Sequence, residues 1–221
     1  MHRLLAQRGV HCGRDRLFSI LRSAGLLIRP RKRYIQTTYS RHWMRKYPNL
    51  LTREQIQPTR PEQVWVSDIT YVKTDEGYSY LALVTDAYSR KIVGYNLADS
   101  LEGENARKAF QMALRDRRAN VGGLIHHSDR GFQYCAREYV RLAEDHQVRL
   151  SMTENGDPYE NALAERMNRT LKEEFCLEYG VPSRDLAAQA VAEAIRLYNT
   201  YRPHNALAGR TPEAVHQQKS R

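Results

Sequence analysis

The sequence is poor in cysteine and contains no long apolar run. Its 221 residues include three cysteines, Cys12, Cys135 and Cys176, which are widely separated and form no Cys-x-x-Cys pair. This pattern argues against a disulfide framework or a thiolate zinc site and fits a reducing cytoplasm. No stretch of about 18 apolar residues is present to span a bilayer, and the basic N-terminus is not followed by the apolar core of a signal peptide. We therefore expect a soluble chain.

The positive charge is concentrated near the N-terminus. The formal net charge is +10, yet residues 1–60 hold 14 Lys and Arg against 2 acidic residues, while residues 61–221 carry a net −2. A basic arm of this kind neutralises phosphates and releases counterions, which gives salt-sensitive affinity for nucleic acid. Within it, the cluster Arg31, Lys32 and Arg33 is predicted to contact DNA. A solvated tail or a membrane-surface patch is the alternative.

Residues 1–60 contain short helical signals and many breaks. Apolar residues repeat at helical spacing between Arg14 and Ala24, and Gly25 follows as a stop signal. With the turn before it, this helix predicts part of a helix-turn-helix unit in residues 1–25; two short helices that merely pack on the core are the alternative. Residues 26–60, which are basic and interrupted by prolines, predict a linker with a short helix at about 41–46.

After residue 61 the pattern changes to strands and then to alternating helices and strands. Side chains alternate between the two faces of a predicted strand through Val64–Val72. One face carries Val64, Val66, Asp68, Thr70 and Val72, and the other carries Trp65, Ser67, Ile69 and Tyr71. The predicted elements that follow are strands Tyr78–Ala87 and Lys91–Ala98, helix Glu104–Arg118, strand Gly123–His127, helix Arg137–Asp145, strand Val148–Met152 and a long helix carrying Glu165. The order βββαβαβα predicts an α/β fold with a mixed five-stranded sheet flanked by helices over residues 61–180. A C-terminal helix and tail occupy residues 181–221.

Three carboxylates stand in distinctive local settings. Asp68 lies in Trp-Val-Ser-Asp-Ile-Thr-Tyr, Asp129 in His-Ser-Asp-Arg-Gly and Glu165 in Asn-Ala-Leu-Ala-Glu, with 35 residues between the last two acids. Acids placed on strands and a helix repel one another when they meet, unless divalent cations neutralise them. The pattern favours a metal-dependent phosphoryl-transfer site.

Each acid also has a simpler explanation. Asp68 could be a charge on a solvated sheet face or could pair with Arg90, and Asp129 could be an ordinary turn residue before a glycine. Glu165 could belong to a solvated amphipathic helix. Asp86 competes for a metal role, although its place at a hairpin end explains it by turn chemistry.

The three motifs, in this order, resemble those of the catalytic subunit of bacterial insertion-sequence transposases of the IS-three family, whose core resembles retroviral integrase. The resemblance covers the chain from about Arg14 to Val215. It implies a ribonuclease-H-like fold and a DDE site in which Asp68, Asp129 and Glu165 are the catalytic metal ligands of two Mg²⁺ ions, with Mn²⁺ as a substitute. It also implies DNA strand cleavage followed by strand transfer at the ends of an insertion sequence.

The resemblance implies several partners. The first is DNA, which includes both the element ends and the target. The others are further copies of the chain in the DNA complex and a helix-turn-helix protein from an upstream reading frame. The expected location is the cytoplasm, in association with the nucleoid. Family members have further residues before this N-terminus, so Met1 is expected to start inside the helix-turn-helix module. A ribonuclease-H-like nuclease and a truncated DNA-binding remnant without catalysis therefore stay open as alternatives.

Further candidate DNA contacts lie around Glu165. Asn161, Asn168 and Lys172 stand at −4, +3 and +7 from it, so all four share one helix face. In the family a basic residue seven after the glutamate contacts the element end, and Lys172 matches by spacing. The sequence assigns no definite role to four further residues, Asp86, His127, Arg202 and His204. Adjacent His126 and His127 point to opposite faces of a strand, which favours a structural role over a zinc site.

Overall fold

The computed structural model describes residues 2–27, 42–117, 123–154 and 161–218. The chain divides into two compact units, Met1–Ile35 and Gln36–Arg221. Residues 31–33 of the predicted basic cluster lie outside the described residues. No helix in the described ranges is both long and apolar enough to cross a membrane.

The first unit contains two helices, α1 (His2–Gln7) and α2 (Arg14–Ser23). The helix predicted from Arg14 is confirmed, and it ends as predicted because Gly25 adopts φ of 69°. That left-handed conformation allows the amides of Gly25 and Leu26 to bond back to the carbonyls of Arg22 and Leu21, which closes the helix.

The second unit is built on a five-stranded mixed sheet. Its strands are β1 (Val64–Thr74), β2 (Gly77–Asp86), β3 (Ile92–Ala98), β4 (Ile125–Ser128) and β5 (Arg149–Met152), in the spatial order β3-β2-β1-β4-β5. The first three strands form antiparallel hairpins, whereas β4 and β5 run parallel to β1. The predicted order of elements and the mixed sheet are confirmed, and β1 is the central strand.

Helices cover both faces of the sheet. They are α3 (Leu50–Arg53), α4 (Gly103–Arg115), α5 (Phe132–Cys135), α6 (Arg137–Asp145), α7 (Ala162–Glu174), α8 (Arg184–Tyr201) and α9 (Pro212–His216). Trp65 and Ile69 of β1 point into a buried cluster with α4, α5 and α6, while Val72 of the same strand packs into a second cluster with α7 and α8. The alternation predicted for β1 therefore separates two hydrophobic cores, and Asp68 lies on the α7 side.

One close approach explains a glycine in β3. A Cβ at Gly94 would come within 2.2 Å of the Ala109 carbonyl oxygen, so α4 packs directly on the strand backbone.

Some element bounds differ from the predicted ones. The described part of α4 ends at Arg115, earlier than the predicted Arg118, and β4 starts at Ile125 rather than at Gly123. The first buried residue of α8 is Ala187, whereas Leu186 is 45% exposed.

The short helix predicted at about 41–46 is wrong. Residues 42–49 have no regular structure, and the helix of this region is α3, which begins at Leu50. The physical reason is a cap, because the Asn49 side chain accepts a hydrogen bond from the Thr52 amide at 3.2 Å. The residues before the cap instead pack Met44 and Tyr47 against the cluster on the α4 side of the sheet.

Candidate active site

Asp68 lies in the middle of β1 and is held by two hydrogen bonds. The Ile69 amide donates to Oδ1 at 2.8 Å, and the Asn168 side chain on α7 donates to Oδ2 at 2.8 Å. The side chain is partly buried among Val66, Val72 and the helix above them. The carboxylate is therefore not on an open sheet face, and its described hydrogen-bond partners are Ile69 and Asn168 rather than Arg90.

Asp129 follows β4 directly and lies beside Asp68. The parallel register pairs Ser67 with Ser128, so the next residue on each strand is an aspartate. The Asp129 Oδ1 atom accepts a hydrogen bond from the Gly131 amide at 2.9 Å. A Cβ at Gly131 would stand 2.5 Å from Gln133 Oε1 and 3.0 Å from that oxygen, so both side chains pack closely against this glycine. Two acids thus meet where two neighbouring strands run side by side.

Glu165 lies in the first turn of α7 and is exposed. The helix is fixed to β1 by its two asparagines, because Asn161 donates to the Ser67 carbonyl at 3.1 Å and Asn168 donates to Asp68. Both asparagines are buried, with 6% and 7% exposure, so their amide groups are engaged with the protein rather than presented to solvent. Their Oδ1 atoms have no hydrogen-bond partner among the described residues.

The three acids influence one another electrostatically. Burial raises the pKa of Asp68 to about 7, with a further contribution from the charges of Asp129 and Glu165, while the bonds from Ile69 and Asn168 oppose the rise. Partial burial and the charge of Asp129 also raise the pKa of Glu165. Nevertheless, within the described residues no three acidic, histidine or cysteine side chains are arranged to hold one ion. The three acids therefore affect one another's pKa values, but their carboxylates do not converge on a single point.

Lys172 lies two turns beyond Glu165 and rests on an aromatic ring. Its Nζ atom is 3.7 Å from the ring centroid of Tyr71, and the Tyr71 ring in turn meets the Tyr78 ring edge to face at 5.3 Å between centroids. The cation–π contact fixes the position of a partly buried ammonium group. The period-two rule places Tyr71 on the face of β1 opposite Asp68, so spacing from Asp68 would not have located it, and only the packing of α7 on β1 shows that Tyr71 supports Lys172.

Asp86 has the environment of a structural turn residue. It is fully buried and accepts four hydrogen bonds, from the Glu62, Tyr88 and Ser89 amides and from the Ser89 hydroxyl, at 2.6 to 3.1 Å. Such complete satisfaction by fixed donors leaves a carboxylate little reason to recruit a cation. The turn explanation therefore accounts for Asp86.

The two adjacent histidines are structural. His126 Nε2 hydrogen-bonds to the Tyr139 hydroxyl at 2.6 Å and to the Ser67 hydroxyl at 3.1 Å, and burial lowers its pKa to about 3. His127 Nδ1 hydrogen-bonds to the Ser151 hydroxyl at 2.8 Å on β5. Both side chains are buried, so neither reaches a phosphate group in this conformation.

Arg202 and His204 form a packed helix end. Arg202 forms a bidentate ion pair with Glu174, the last residue of α7. Its Nη2 and Nε atoms donate to the two carboxylate oxygens at 2.5 and 2.6 Å. Its Nη1 atom lies 3.1 Å from His204 Nε2. Burial, followed by the Arg202 charge, lowers the pKa of His204 to about 4, and its ring meets the Tyr198 ring edge to face. These contacts tie the segment after α8 to the end of the helix that carries Glu165.

Comparisons with known proteins match this architecture. Two models described as "Integrase core domain" match residues 58–158 and 146–212. An uncharacterized 31 kDa protein of insertion element IS600 from Shigella sonnei is 40% identical over 214 residues, which is 96% of this chain and 78% of the relative. The transposase InsF for insertion sequence IS3fB of Escherichia coli K12 is 35% identical over 199 residues, 90% of this chain and 68% of the relative.

Solved structures show the same fold. The HTLV-2 integrase catalytic core domain in complex with magnesium superposes with a TM-score of 0.57 at 17% identity, over 73% of this chain and 100% of that chain. A chain of the simian T-cell lymphotropic virus intasome superposes with a TM-score of 0.62 at 17% identity, over 99% of this chain and 74% of that chain.

The mixed sheet, the matching integrase core models and the transposase relatives define a polynucleotidyl transferase of the DDE type with a ribonuclease-H-like integrase core. More narrowly, the chain belongs to the IS3, or IS-three, family of insertion-sequence transposases. The predicted fold and family are confirmed, and the relatives do not favour a nuclease or a non-catalytic remnant.

Proposed function

We propose that this transposase cleaves DNA strands at the ends of its insertion sequence and joins them to target DNA through Asp68, Asp129 and Glu165. The observation that carries the proposal is the strand register, which sets Asp68 beside Asp129 on the α7 side of the sheet. Two acids that the fold forces together, with a third within electrostatic range, are suited to phosphoryl transfer.

The donor set suits a hard divalent cation. Carboxylate oxygens are the ligands that Mg²⁺ prefers, and positive charge between Asp68 and Asp129 would relieve their repulsion. These two residues would hold the metal together with Glu165, whose exposed side chain can change rotamer. We propose two Mg²⁺ ions, with Mn²⁺ as a substitute. When bound, the ions would lower the pKa of a water or a DNA 3′-hydroxyl and stabilise charge on the departing oxygen.

The remaining residues position these groups and the DNA. Asn168 and the Ile69 amide orient the Asp68 carboxylate, and the Gly131 amide orients Asp129. Lys172, supported by Tyr71, binds the DNA end near the scissile phosphate. Asn161 and Asn168 act on DNA indirectly, by fixing α7 on β1.

The basic N-terminal region supplies sequence-independent affinity. Arg31, Lys32 and Arg33 would neutralise phosphates, with residues 1–25 as part of a helix-turn-helix unit and residues 26–60 as its connection to the catalytic core. We further propose that several copies of the chain act together on the DNA, that a helix-turn-helix protein from an upstream reading frame assists, and that the chain works at the nucleoid in the cytoplasm.

The direct test is a strand-transfer assay with labelled DNA ends taken from the sequence that flanks the gene. Purified protein with Mg²⁺ should nick the end and join its 3′-hydroxyl to target DNA, whereas Asp68→Asn, Asp129→Asn and Glu165→Gln should bind DNA but yield neither product. Cleavage without joining would favour the nuclease alternative, and binding without cleavage would favour the remnant. Activity within about tenfold of wild type in one variant would remove that residue from the site.

A further inference from the structure

The segment of residues 42–49 is anchored beside the acidic pair. His42 Nε2 hydrogen-bonds to the Arg130 carbonyl at 2.9 Å, and Arg130 directly follows Asp129. Met44 and Tyr47 pack against the core cluster on the α4 side of the sheet, and the Pro48 carbonyl accepts a bond from the Met152 amide. The segment therefore has a fixed backbone position next to the turn that presents Asp129.

Trp43 projects from this anchored segment into solvent. Its side chain is 93% exposed, whereas the only other tryptophan of the sequence, Trp65, is fully buried. Tryptophan has one of the largest apolar surfaces to bury, yet the exposed indole of Trp43 contributes no burial to the packing of this segment. The segment supplies its own anchors on both sides of Trp43, so packing does not explain the residue.

The residues that follow Trp43 in the segment are cationic, whereas the acidic Glu154 meets the far end of the segment at the Asn49 amide. Residues 42–49 contain Arg45 and Lys46 and no acidic residue, and both cations are exposed. Arg130, on the carbonyl side of the anchoring bond, adds a third positive charge. An exposed aromatic ring among cations is the arrangement by which proteins bind single-stranded nucleic acid, because bases stack on the ring while phosphates meet the charges.

We propose that Trp43 is a stacking platform for an unpaired DNA base close to the cleaved phosphate. The proposal rests on the proposed function, since it assigns a substrate contact to that site. The path from Trp43 through His42, its 2.9 Å hydrogen bond to the Arg130 carbonyl and the Arg130 backbone limits the distance between the Cα atoms of Trp43 and Asp129 to roughly 15–20 Å. At about 3.4 Å per nucleotide along a B-form strand, this distance corresponds to at most about six nucleotides from the scissile phosphate. Cleavage sites with frayed or single-stranded flanks therefore fit better than a continuous duplex.

The two tryptophans make the proposal directly measurable. In the full chain, fluorescence of exposed Trp43 should be quenched when the protein binds a duplex carrying a single-stranded tail of about five thymidines. The same tail built from abasic residues keeps every phosphate but offers no ring to stack, so quenching should fall to the level of a blunt duplex. The Trp43→Phe variant, which retains only Trp65, should show no DNA-dependent change.

Affinity provides an independent readout. Trp43→Leu should weaken binding of the thymidine-tailed duplex by about 5- to 100-fold, the range that loss of one base–aromatic stack produces, and should leave binding of the abasic-tailed duplex unchanged. Trp43→Phe should recover most of the loss. Tyr179→Leu serves as the matched control, because Tyr179 is also an exposed aromatic residue, at 71%, but lies after α7 in a different segment; it should bind both duplexes like wild type.

The outcomes separate the two proposals. Anisotropy of labelled DNA reports binding whether or not Trp43 takes part. If the DNA binds and is cleaved but quenching is equal for thymidine and abasic tails, the stacking role is overturned while the proposed function stands. Equal weakening of both duplexes by Trp43→Leu would likewise overturn stacking. If no DNA binds at all, the proposed function fails and the stacking role fails with it.

Discussion

Replacing Asp68 with asparagine should stabilise the metal-free protein while abolishing its activity. The pKa of Asp68 rises from 3.8 to about 7 because of burial and the neighbouring acids. A folded-state pKa above the unfolded-state value means that the ionised side chain opposes folding. The stability present below about pH 4 is therefore lost as the pH rises through 7.

The size of the effect follows from the pKa. A pKa difference of one between the folded and unfolded states corresponds to about 1.4 kcal/mol, so the rise in the Asp68 pKa limits the change in the free energy of unfolding to about 4 kcal/mol. Because part of the side chain retains contact with solvent, we expect Asp68→Asn to raise the free energy of unfolding by about 1–3 kcal/mol near pH 8. The NH₂ group of the introduced asparagine can be accommodated, because the Asn168 Oδ1 atom has no partner among the described residues. A flip of the Asn168 amide would let Oδ1 accept a hydrogen bond from that NH₂ group.

Urea denaturation in the presence of EDTA measures the difference. The gain from Asp68→Asn should be full near pH 8 and should shrink to about a third or less near pH 4.5, where the folded wild type already holds the proton. Asp86→Asn is the matched control with the opposite sign, because its new NH₂ group would face fixed donors and cost about 1–3 kcal/mol. A loss of stability in Asp68→Asn near pH 8, or a gain that does not depend on pH, would refute the reasoning.

Three further predictions concern metal, positioning and DNA. Mg²⁺ should raise the Tm of the wild type but not of Asp68→Asn, as measured by thermal melting; an equal rise in both would remove Asp68 from the metal site. Tyr71→Leu should impair processing of element ends as Lys172→Ala does, while nicking of unrelated DNA persists and Tyr71→Phe retains function; equal loss on both substrates would indicate a general structural role. Replacing residues 31–33 with alanine should reduce the slope of log affinity against log salt by up to about 3, and an unchanged slope would exclude them as phosphate contacts.

Much of the fold was predictable because it depends on local periodicity. The alternation in Val64–Val72 gave both the strand and its division into two faces, and the Gly25 stop signal located the end of α2. The error at residues 41–46 has a physical cause. A basic, polar stretch suits a helix by composition, but the Asn49 cap and the burial of Met44 and Tyr47 determine the backbone, and sequence composition does not reveal those tertiary contacts.

The sequence proposes the candidate site as a set of residues but not as a set of contacts. Helical spacing places Asn161, Glu165, Asn168 and Lys172 on one face of a helix, yet it could not show that the asparagines are buried against β1. Spacing describes which residues share a direction on one helix, whereas the surface they meet is set by long-range packing. The same limit applies to Asp86, whose four donors come partly from a distant segment at Glu62.

The contacts of α7 explain how acids from separate elements are brought to one place. Asn161 bonds to the carbonyl of Ser67, Asn168 to Asp68, and Lys172 covers Tyr71, so the helix and β1 run in the same direction. The 11 helical steps from 161 to 172 span about 16 Å, and the four strand steps from 67 to 71 span about 13 Å. These similar overall lengths allow the two outer contacts, at Asn161 and Lys172, to form at once.

Asp129 is also positioned relative to β1, because Ser128, the residue before it, pairs with Ser67. β1 is therefore the common reference for every acid of the site. Because Glu165 lies between two of the anchored positions on α7, a change at Asn161 or Asn168 would displace it relative to the aspartates without altering any acid.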